Sequence, residues 1–219
     1  MRENAGQVRG RRGRPPVRPD DETRRLVVEA AAQEFRANGY AATSIAAVAE
    51  RAGVSTKTVY RLIPTKADLF RSVVSDRIGR FILEVDADTL ESLPPVEALE
   101  RILRAYGELT LAAETTAMIR LVLAEGHRFP ELAATFHEVA ILRTSEAIAS
   151  WLRRQCRRGL IELEDVEEAA GMLRGMMSME PQRAVMLGRR AVPQRAEIAA
   201  RARSCARIFL HGCGARQAC

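Results

Sequence analysis

The side chains best suited to chemistry in this sequence stand close together in the stretch GVSTKTVYRLI, residues 53–63. Their hydroxyl, amine, phenol and guanidinium groups are hydrogen-bonding partners for base edges and phosphates. The sequence has no nucleophile motif, HExxH sequence, glycine-rich phosphate loop or paired-cysteine metal site. We therefore predict a DNA-binding protein that is not an enzyme, with no cofactor and no metal. The candidate groove-facing residues are Ser55, Thr56, Lys57, Tyr60 and Arg61.

Two short helices that cross at a glycine are needed to position these residues. Ile45 and Val48 are apolar positions of the first helix, and Gly53 allows the positive φ of a tight turn. Val59 and Leu62 then fix the second helix to the first, which leaves its polar residues facing outward. This arrangement is typical of a helix-turn-helix whose second helix enters the major groove.

Helix signals continue on both sides of this pair. The stretch PDDETRRLVVEAAAQEFRANG predicts a helix that ends at Gly39. Thr43 or Ser44, then Ser55, then Thr65 can each cap the helix that follows it. The rest of the chain has helical periodicity and no strand-like alternation, so the predicted fold class is all-α.

The segment GYAATSIAAVAERAGVSTKTVYRLIPTKADLF, residues 39–70, strongly resembles the DNA-binding domain of TetR-family regulators. In that family three N-terminal helices form this domain and the third enters the major groove. The resemblance therefore assigns groove contacts to the candidates named above. Lys57 departs from the glycine usual in the family and adds a charge to the groove surface. The resemblance also implies phosphate contacts from Thr43, Thr58, Tyr60 and Lys66.

Residues 1–19 are predicted to form a disordered basic arm rich in Arg, Gly and Pro. Residues 1–80 contain 16 basic and 9 acidic side chains, whereas the remainder contains 18 and 19. The sequence Arg12-Gly13-Arg14-Pro15 resembles the core of an AT-hook, whose arginines enter narrow A·T minor grooves. A solvated leader without a role is the alternative. Arg12 and Arg14 are the candidate minor-groove contacts.

After a DNA-binding domain at residues 20–66, residues 67–212 are predicted to form a larger helical ligand-binding and dimerisation domain, with a tail at 213–219. The stretch RLVLAEGHRFPELAATFHE resembles the AefR-like subgroup of the TetR family. Family members dimerise through their last two long helices, here about residues 165–187 and 193–211. Packing within the chain is the alternative for the small and apolar residues there. The candidate interface residues are Gly171, Gly175, Ile198, Ala202, Cys205, Ala206 and Phe209.

A ligand pocket is expected among the central helices. Methionine is adaptable and common in pockets that accept varied ligands. Each apolar candidate has an alternative role as an ordinary core residue. The candidates are Met118, Leu121, Val122, Phe129, Phe136, Trp151, Met172 and Met176.

Together these features predict a ligand-responsive homodimeric transcriptional repressor. It would bind a near-palindromic double-stranded DNA operator through the major groove and be released by a small, mostly apolar effector. An architectural or ligand-independent DNA-binding regulator, dominated by the AT-hook-like arm, is the alternative. Because the sequence has no signal-peptide pattern and no apolar run near 18 residues, we expect a cytoplasmic protein with no membrane partner.

Overall fold

The computed structural model describes residues 18–85 and 90–213, and this part of the chain contains helices and no strand. The all-α prediction is therefore confirmed. A π-helical turn, His137–Leu142, joins the helix Pro130–Phe136 to the helix Arg143–Arg157. The helices in chain order are α1 (Asp20–Ala42), α2 (Ile45–Ala52), α3 (Thr56–Leu62), α4 (Lys66–Glu84), α5 (Pro95–Thr110), α6 (Ala113–Glu125), α7 (Pro130–Phe136), α8 (Arg143–Arg157), α9 (Val166–Met186) and α10 (Arg195–Cys213).

The helix starts of the N-terminal unit follow the predicted caps. The side-chain oxygens of Ser44, Ser55 and Thr65 each accept a first-turn backbone N–H at 3.0–3.1 Å. Gly53 ends α2 with a φ of 66°, a conformation that favours glycine. These caps and the Gly53 turn together fix the angle between α2 and α3.

The joint between α1 and α2 is built on a second left-handed glycine. Gly39 has a φ of 77°, which breaks the helical path so that the last residues of α1 turn towards α2. The Thr43 hydroxyl donates to the Gly39 carbonyl at 2.7 Å and closes this turn. Tyr40 is buried directly after the glycine.

One apolar core runs from the helix-turn-helix into the rest of the chain. Val48 of α2 and Val59 of α3 share this core with Phe70 and Val73 of α4. Leu132 of α7 belongs to it as well. The boundary that we predicted at residue 66 stays a prediction, and the packing of the helix-turn-helix continues across it.

A second core fills the C-terminal body, where α10 packs along α5. Gly107 of α5 allows this close approach, because a Cβ there would lie 2.8 Å from Ile198 Cγ2 and even closer to Met177. Trp151 and Ala202 are fully enclosed in the same core. None of the helices in the described ranges is long and apolar enough to cross a membrane.

The helical segment that begins at Pro130 has one irregularity. The chain stays helical from Pro130 to Arg157 but widens into the π-helical turn at residues 137–142. Such turns insert one residue into the helical register and commonly accompany functional sites. Gly159, with a φ of 68°, follows the end of this helical run.

Candidate DNA interface and ligand cavity

The outward face of α3 presents free polar side chains. Thr56, Lys57 and Tyr60 are exposed, and none of them has a hydrogen bond or ion pair with any residue that the structure describes. The opposite face is held by Val59 and Leu62, which are buried. A rigid helix with an unoccupied polar face is suited to reading a groove.

Ser55 and Thr58 form the rim of this face. The Ser55 oxygen accepts the Thr58 backbone N–H at 3.1 Å, and the two hydroxyl oxygens lie 2.9 Å apart. Each residue therefore uses part of its hydrogen-bonding capacity to start α3. Their predicted DNA contacts remain predictions, limited to the capacity that is left.

Arg61 has a partner that the sequence did not reveal. Its guanidinium donates to both carboxylate oxygens of Asp20, at 2.6 and 2.7 Å. This bidentate hydrogen bonding lowers the pKa of the Asp20 carboxyl and raises the pKa of Arg61. Asp20 is the first residue of α1, so the pair ties α3 to the start of α1. A phosphate that engages Arg61 must compete with Asp20.

Two predicted phosphate contacts lie at the α1–α2 joint. Thr43 is buried and its hydroxyl is used by Gly39, so the prediction that this hydroxyl reaches DNA is corrected. Lys66 Nζ donates to the Ala41 carbonyl at 3.2 Å and lies 4.6 Å from the centre of the Tyr40 ring. Burial lowers the pKa of Lys66. Arg12 and Arg14 lie outside the described residues.

The same joint is held from the other side by Glu125, the last residue of α6. Its carboxylate accepts the backbone N–H of Tyr40 at 2.8 Å and that of Ala41 at 2.7 Å. The Phe129 ring packs edge-on against Tyr40, with 5.1 Å between ring centres. Sequence reasoning missed Glu125, because these partners are more than 80 residues apart and no local signal marks the pair.

A cavity of about 660 Å³ lies between α4, α5, α6, the α7–π-turn segment and α9. Three of the predicted pocket residues, Met118, Val122 and Phe136, line it. Its wall is mainly apolar with a few polar groups, as in many small-molecule sites. The polar lining groups are Arg77, Tyr106, Thr110, Thr115, His137, Thr144, Arg174, Ser178 and Gln182.

Five other pocket candidates do not line this cavity. Leu121 lines a separate groove between α1, α4 and α6. Phe129 packs on Tyr40, and Trp151 is enclosed in the C-terminal core. Met172 is 56% exposed, and Met176 packs partly buried against the C-terminal core. The spacing of apolar residues predicts which helix faces are buried, but it does not show which of these faces line a cavity.

The predicted dimer stripe on α10 is also corrected. Ile198, Ala202, Cys205 and Ala206 are buried within the chain itself, since α10 uses that side to pack against the C-terminal core. Phe209 is partly buried against the same core. Gly171 and Gly175 of α9 line the cavity together with Met179, and Gly171 is also exposed, so their contact with a second copy stays a prediction.

The exposed apolar side chains of α9 and α10 are different residues. Met172 and Met179 lie on α9 with 56% and 63% exposure, and Ile208 lies on α10 with 64%. Large apolar side chains exposed on neighbouring helices are common at protein interfaces. We call Met172, Met179 and Ile208 the outer apolar face.

Comparison with known proteins gives matches along most of the chain. The family model described as bacterial regulatory proteins, tetR family, matches residues 27–73. The model of the AefR-like transcriptional repressor, C-terminal domain, matches residues 97–214, more than half of the chain.

Individual relatives agree with these models. A crystal structure described as a TetR-family transcriptional regulator from Mesorhizobium loti is 27% identical, with a TM-score of 0.78 over 90% of this chain and 99% of that one. The flavonoid-responsive regulator FrrA is 28% identical, with a TM-score of 0.72 over 90% of this chain and 100% of FrrA. The fatty acid metabolism regulator protein of Bacillus subtilis is 25% identical over 93 residues, which span 42% of this chain and 48% of that relative.

Proposed function

Since this chain belongs to the TetR family of DNA-binding transcriptional regulators, we propose that it represses transcription as a homodimer on a near-palindromic operator and leaves the operator when a small, mostly apolar effector binds. The free polar face of α3 carries this proposal. Thr56, Lys57 and Tyr60 are exposed on a helix whose other side is locked into the core. Side chains held in this way can read bases without first being released from internal partners.

The proposed operator has two half-sites. A homodimer presents two copies of α3, and these enter successive major grooves when they are about 34–36 Å apart. Lys57 and Tyr60 read base edges or contact phosphates. Lys66 and the rim residues Ser55 and Thr58 contact phosphates. If Arg61 also contacts the operator, its ion pair with Asp20 opens or rearranges.

The proposed dimer forms through the outer apolar face of α9 and α10. Met172, Met179 and Ile208 are exposed there, while the other side of each helix is buried within the chain. A second copy that covers these side chains removes apolar surface from water. This assignment replaces the buried α10 stripe with residues that a partner can reach.

The proposed effector site is the 660 Å³ cavity. Met118, Val122 and Phe136 supply apolar wall, and methionine adapts to ligands of different shape. One relative is described as flavonoid-responsive and another as a regulator of fatty acid metabolism. Both names concern largely apolar small molecules, which supports an effector of that kind here.

The proposed coupling runs through α6. This helix contributes Met118 and Val122 to the cavity and ends at Glu125, which holds the backbone of Tyr40 and Ala41. An effector that fits best when α6 shifts favours a conformation in which the α1–α2 joint, and with it α3, is displaced. DNA affinity then falls by the effector's difference in affinity for the two conformations.

Footprinting on the DNA upstream of the protein's own gene tests the proposal. We expect two protected half-sites about one helical turn apart, with protection lost on addition of apolar ligands. Deleting residues 2–18 should weaken binding and flatten its salt dependence while the half-site preference persists. Broad protection of A·T tracts that depends on residues 2–18 and ignores ligands would instead support the architectural alternative.

A further inference from the structure

Two arginines that line the cavity, Arg77 and Arg174, have no hydrogen bond to a carboxylate of the described residues. Arg174 donates to Ser145 Oγ at 2.6 Å and to the Tyr106 hydroxyl at 3.3 Å, and both partners are neutral. The Arg77 guanidinium makes no hydrogen bond to any residue of the described ranges. Its ion pair is a long contact of 3.9 Å to Glu114. An apolar cavity with cationic groups in its wall is complementary to an anion.

Arg77 is the less satisfied of the two arginines. Its side chain is only 27% exposed, and burial lowers its pKa. Glu114 is shared, because it also lies 4.0 Å from Arg36. The nearby carboxylate of Asp76 forms an ion pair with Arg80 at 2.7 Å. Two guanidiniums therefore share one carboxylate, which leaves this cluster with an excess of one positive charge. Arg36 and Glu114 line the groove between α1, α4 and α6, whereas Arg77 lines both that groove and the cavity.

A hydroxyl without a partner belongs to another residue of the same cavity lining. Thr115 follows Glu114 in the chain, lines the cavity and is only 8% exposed. Its Oγ1 has no hydrogen-bond partner among the described residues. Buried hydroxyls in proteins are normally paired, and an unpaired one calls for an explanation. A ligand atom hydrogen-bonded to Oγ1 would provide that partner.

We propose that the cavity binds an apolar molecule with one oxyanion, the simplest being a carboxylate. The oxyanion is received by the Arg77 guanidinium and the Thr115 hydroxyl, and the apolar body lies against Ile78, Met118 and Val122. This inference rests on the proposed function in taking the cavity as the effector site, and it adds the chemical class of the effector. Arg174 keeps its hydrogen bonds to Tyr106 and Ser145.

The position of Arg77 connects this site to DNA binding. Arg77 lies on α4, whose earlier residues Phe70 and Val73 are part of the core around the helix-turn-helix. An oxyanion bound to Arg77 acts directly on a helix that both cores share. The effector's charged group and its apolar body thereby each contact both α4 and α6.

Decanoate and 1-decanol provide a matched pair of probes, because they share an alkyl chain and differ in charge. Calorimetric titration of the full-length protein should show decanoate binding at least about tenfold more tightly than 1-decanol. Arg77→Met should remove this preference and leave 1-decanol affinity unchanged. Arg80→Met, the matched control, removes a neighbouring charge from outside the cavity and should keep the preference.

Thr115→Val provides a second variant with nearly unchanged shape. It removes a hydroxyl without a partner, so the free protein should unfold at the same or a higher temperature. Decanoate binding should weaken by about threefold or more while 1-decanol binding does not. Equal affinity for the two probes, no binding of either, or equal losses for both probes in Arg77→Met would overturn the proposal.

Operator binding separates this inference from the proposed function. If decanoate binds with the expected preference but operator affinity does not change, the ligand response fails and the oxyanion site stands. If neutral apolar ligands release the operator and decanoate has no advantage, the oxyanion site fails and the ligand response stands.

Discussion

The Glu125 carboxylate accepts the backbone N–H of Tyr40 at 2.8 Å across 85 residues of chain. The same carboxylate accepts the N–H of Ala41, so one side chain at the end of the cavity helix α6 holds the α1–α2 joint. Two charge-assisted bonds to adjacent backbone donors fix both distance and orientation. Movement at one end of this contact must therefore be accommodated at the other.

Glu125→Gln should reduce the coupling between effector and operator. A glutamine can accept only through its carbonyl oxygen and directs an NH₂ group towards the second backbone donor. We expect the ratio of operator affinities without and with effector to fall, with a stability loss of about 1–3 kcal/mol. Glu131→Gln is the matched control, because the Glu131 carboxylate accepts from the Tyr40 hydroxyl at 3.5 Å and has no other hydrogen bond in the described ranges. An unchanged ratio in a folded Glu125→Gln protein would remove Glu125 from the coupling route.

Gly39→Ala should destabilise the protein. The backbone there has a φ of 77°, and an added Cβ would lie 2.6 Å from Glu125 Oε1. Strain and displacement of the carboxylate together should cost about 1–3 kcal/mol in urea unfolding. Gly79→Ala is the control within a helix, where a Cβ meets nothing within 4 Å. That variant should gain about 0.5–1 kcal/mol.

Tyr60→Ala should weaken operator binding by about 1–3 kcal/mol without altering the fold. The Tyr60 ring is 52% exposed and has no partner in the described part of the chain, so its removal leaves no internal group unpaired. Circular dichroism should show unchanged melting, and a gel-shift titration should show the loss. Full operator affinity in the folded variant would contradict a role in the DNA contact.

Arginine substitutions on the two sides of α10 should have different effects. Ala202 is fully buried within the chain, so Ala202→Arg should unfold or severely destabilise the protein. Ile208 is 64% exposed, so Ile208→Arg should leave the fold intact and shift the protein from dimer to monomer. Sedimentation and melting curves distinguish the two effects. A stable dimer of Ile208→Arg would place the interface elsewhere.

Acid should loosen the contact between α1 and α2. Glu34 is buried and accepts from Arg51 at 2.7 Å and from Asn38 at 2.8 Å, and these bonds lower its pKa. Because the unfolded state then binds a proton more readily, the stabilisation is present above the ordinary glutamate pKa. It is lost as the pH falls through that value towards the lower folded pKa. Unfolding free energy should therefore decline below about pH 5, and Glu34→Gln should flatten that decline.

The sequence predicted those parts of the structure that depend on neighbouring residues. Ser44, Ser55 and Thr65 cap their helices as expected, since a cap needs only the next three residues. Gly39 and Gly53 have the positive φ angles that their positions predicted. The outward face of α3 can also be predicted from the sequence, because helical periodicity alone separates Val59 and Leu62 from the outward polar residues.

Contacts between distant segments could not be predicted in this way. An apolar stripe shows that a helix is covered but does not identify what covers it, so the α10 stripe at Ala202 was assigned to a second copy instead of to this chain. Trp151 was placed in a pocket because side-chain type does not distinguish core from cavity lining. The contacts made by Asp20 and Glu125 cannot be predicted from the neighbouring residues, since their partners are far away in the sequence.

The shared core around α4 determines where the chain can be cut to build a chimaeric biosensor. Phe70 and Val73 of α4 pack in the same core as Val59 of the helix-turn-helix, and Leu132 of α7 completes it. A transplant cut at residue 66 would carry the DNA-reading helices without the side chains that hold them together. A graft designed to redirect another sensor to this operator should therefore include all of α4 and a surface that replaces α7.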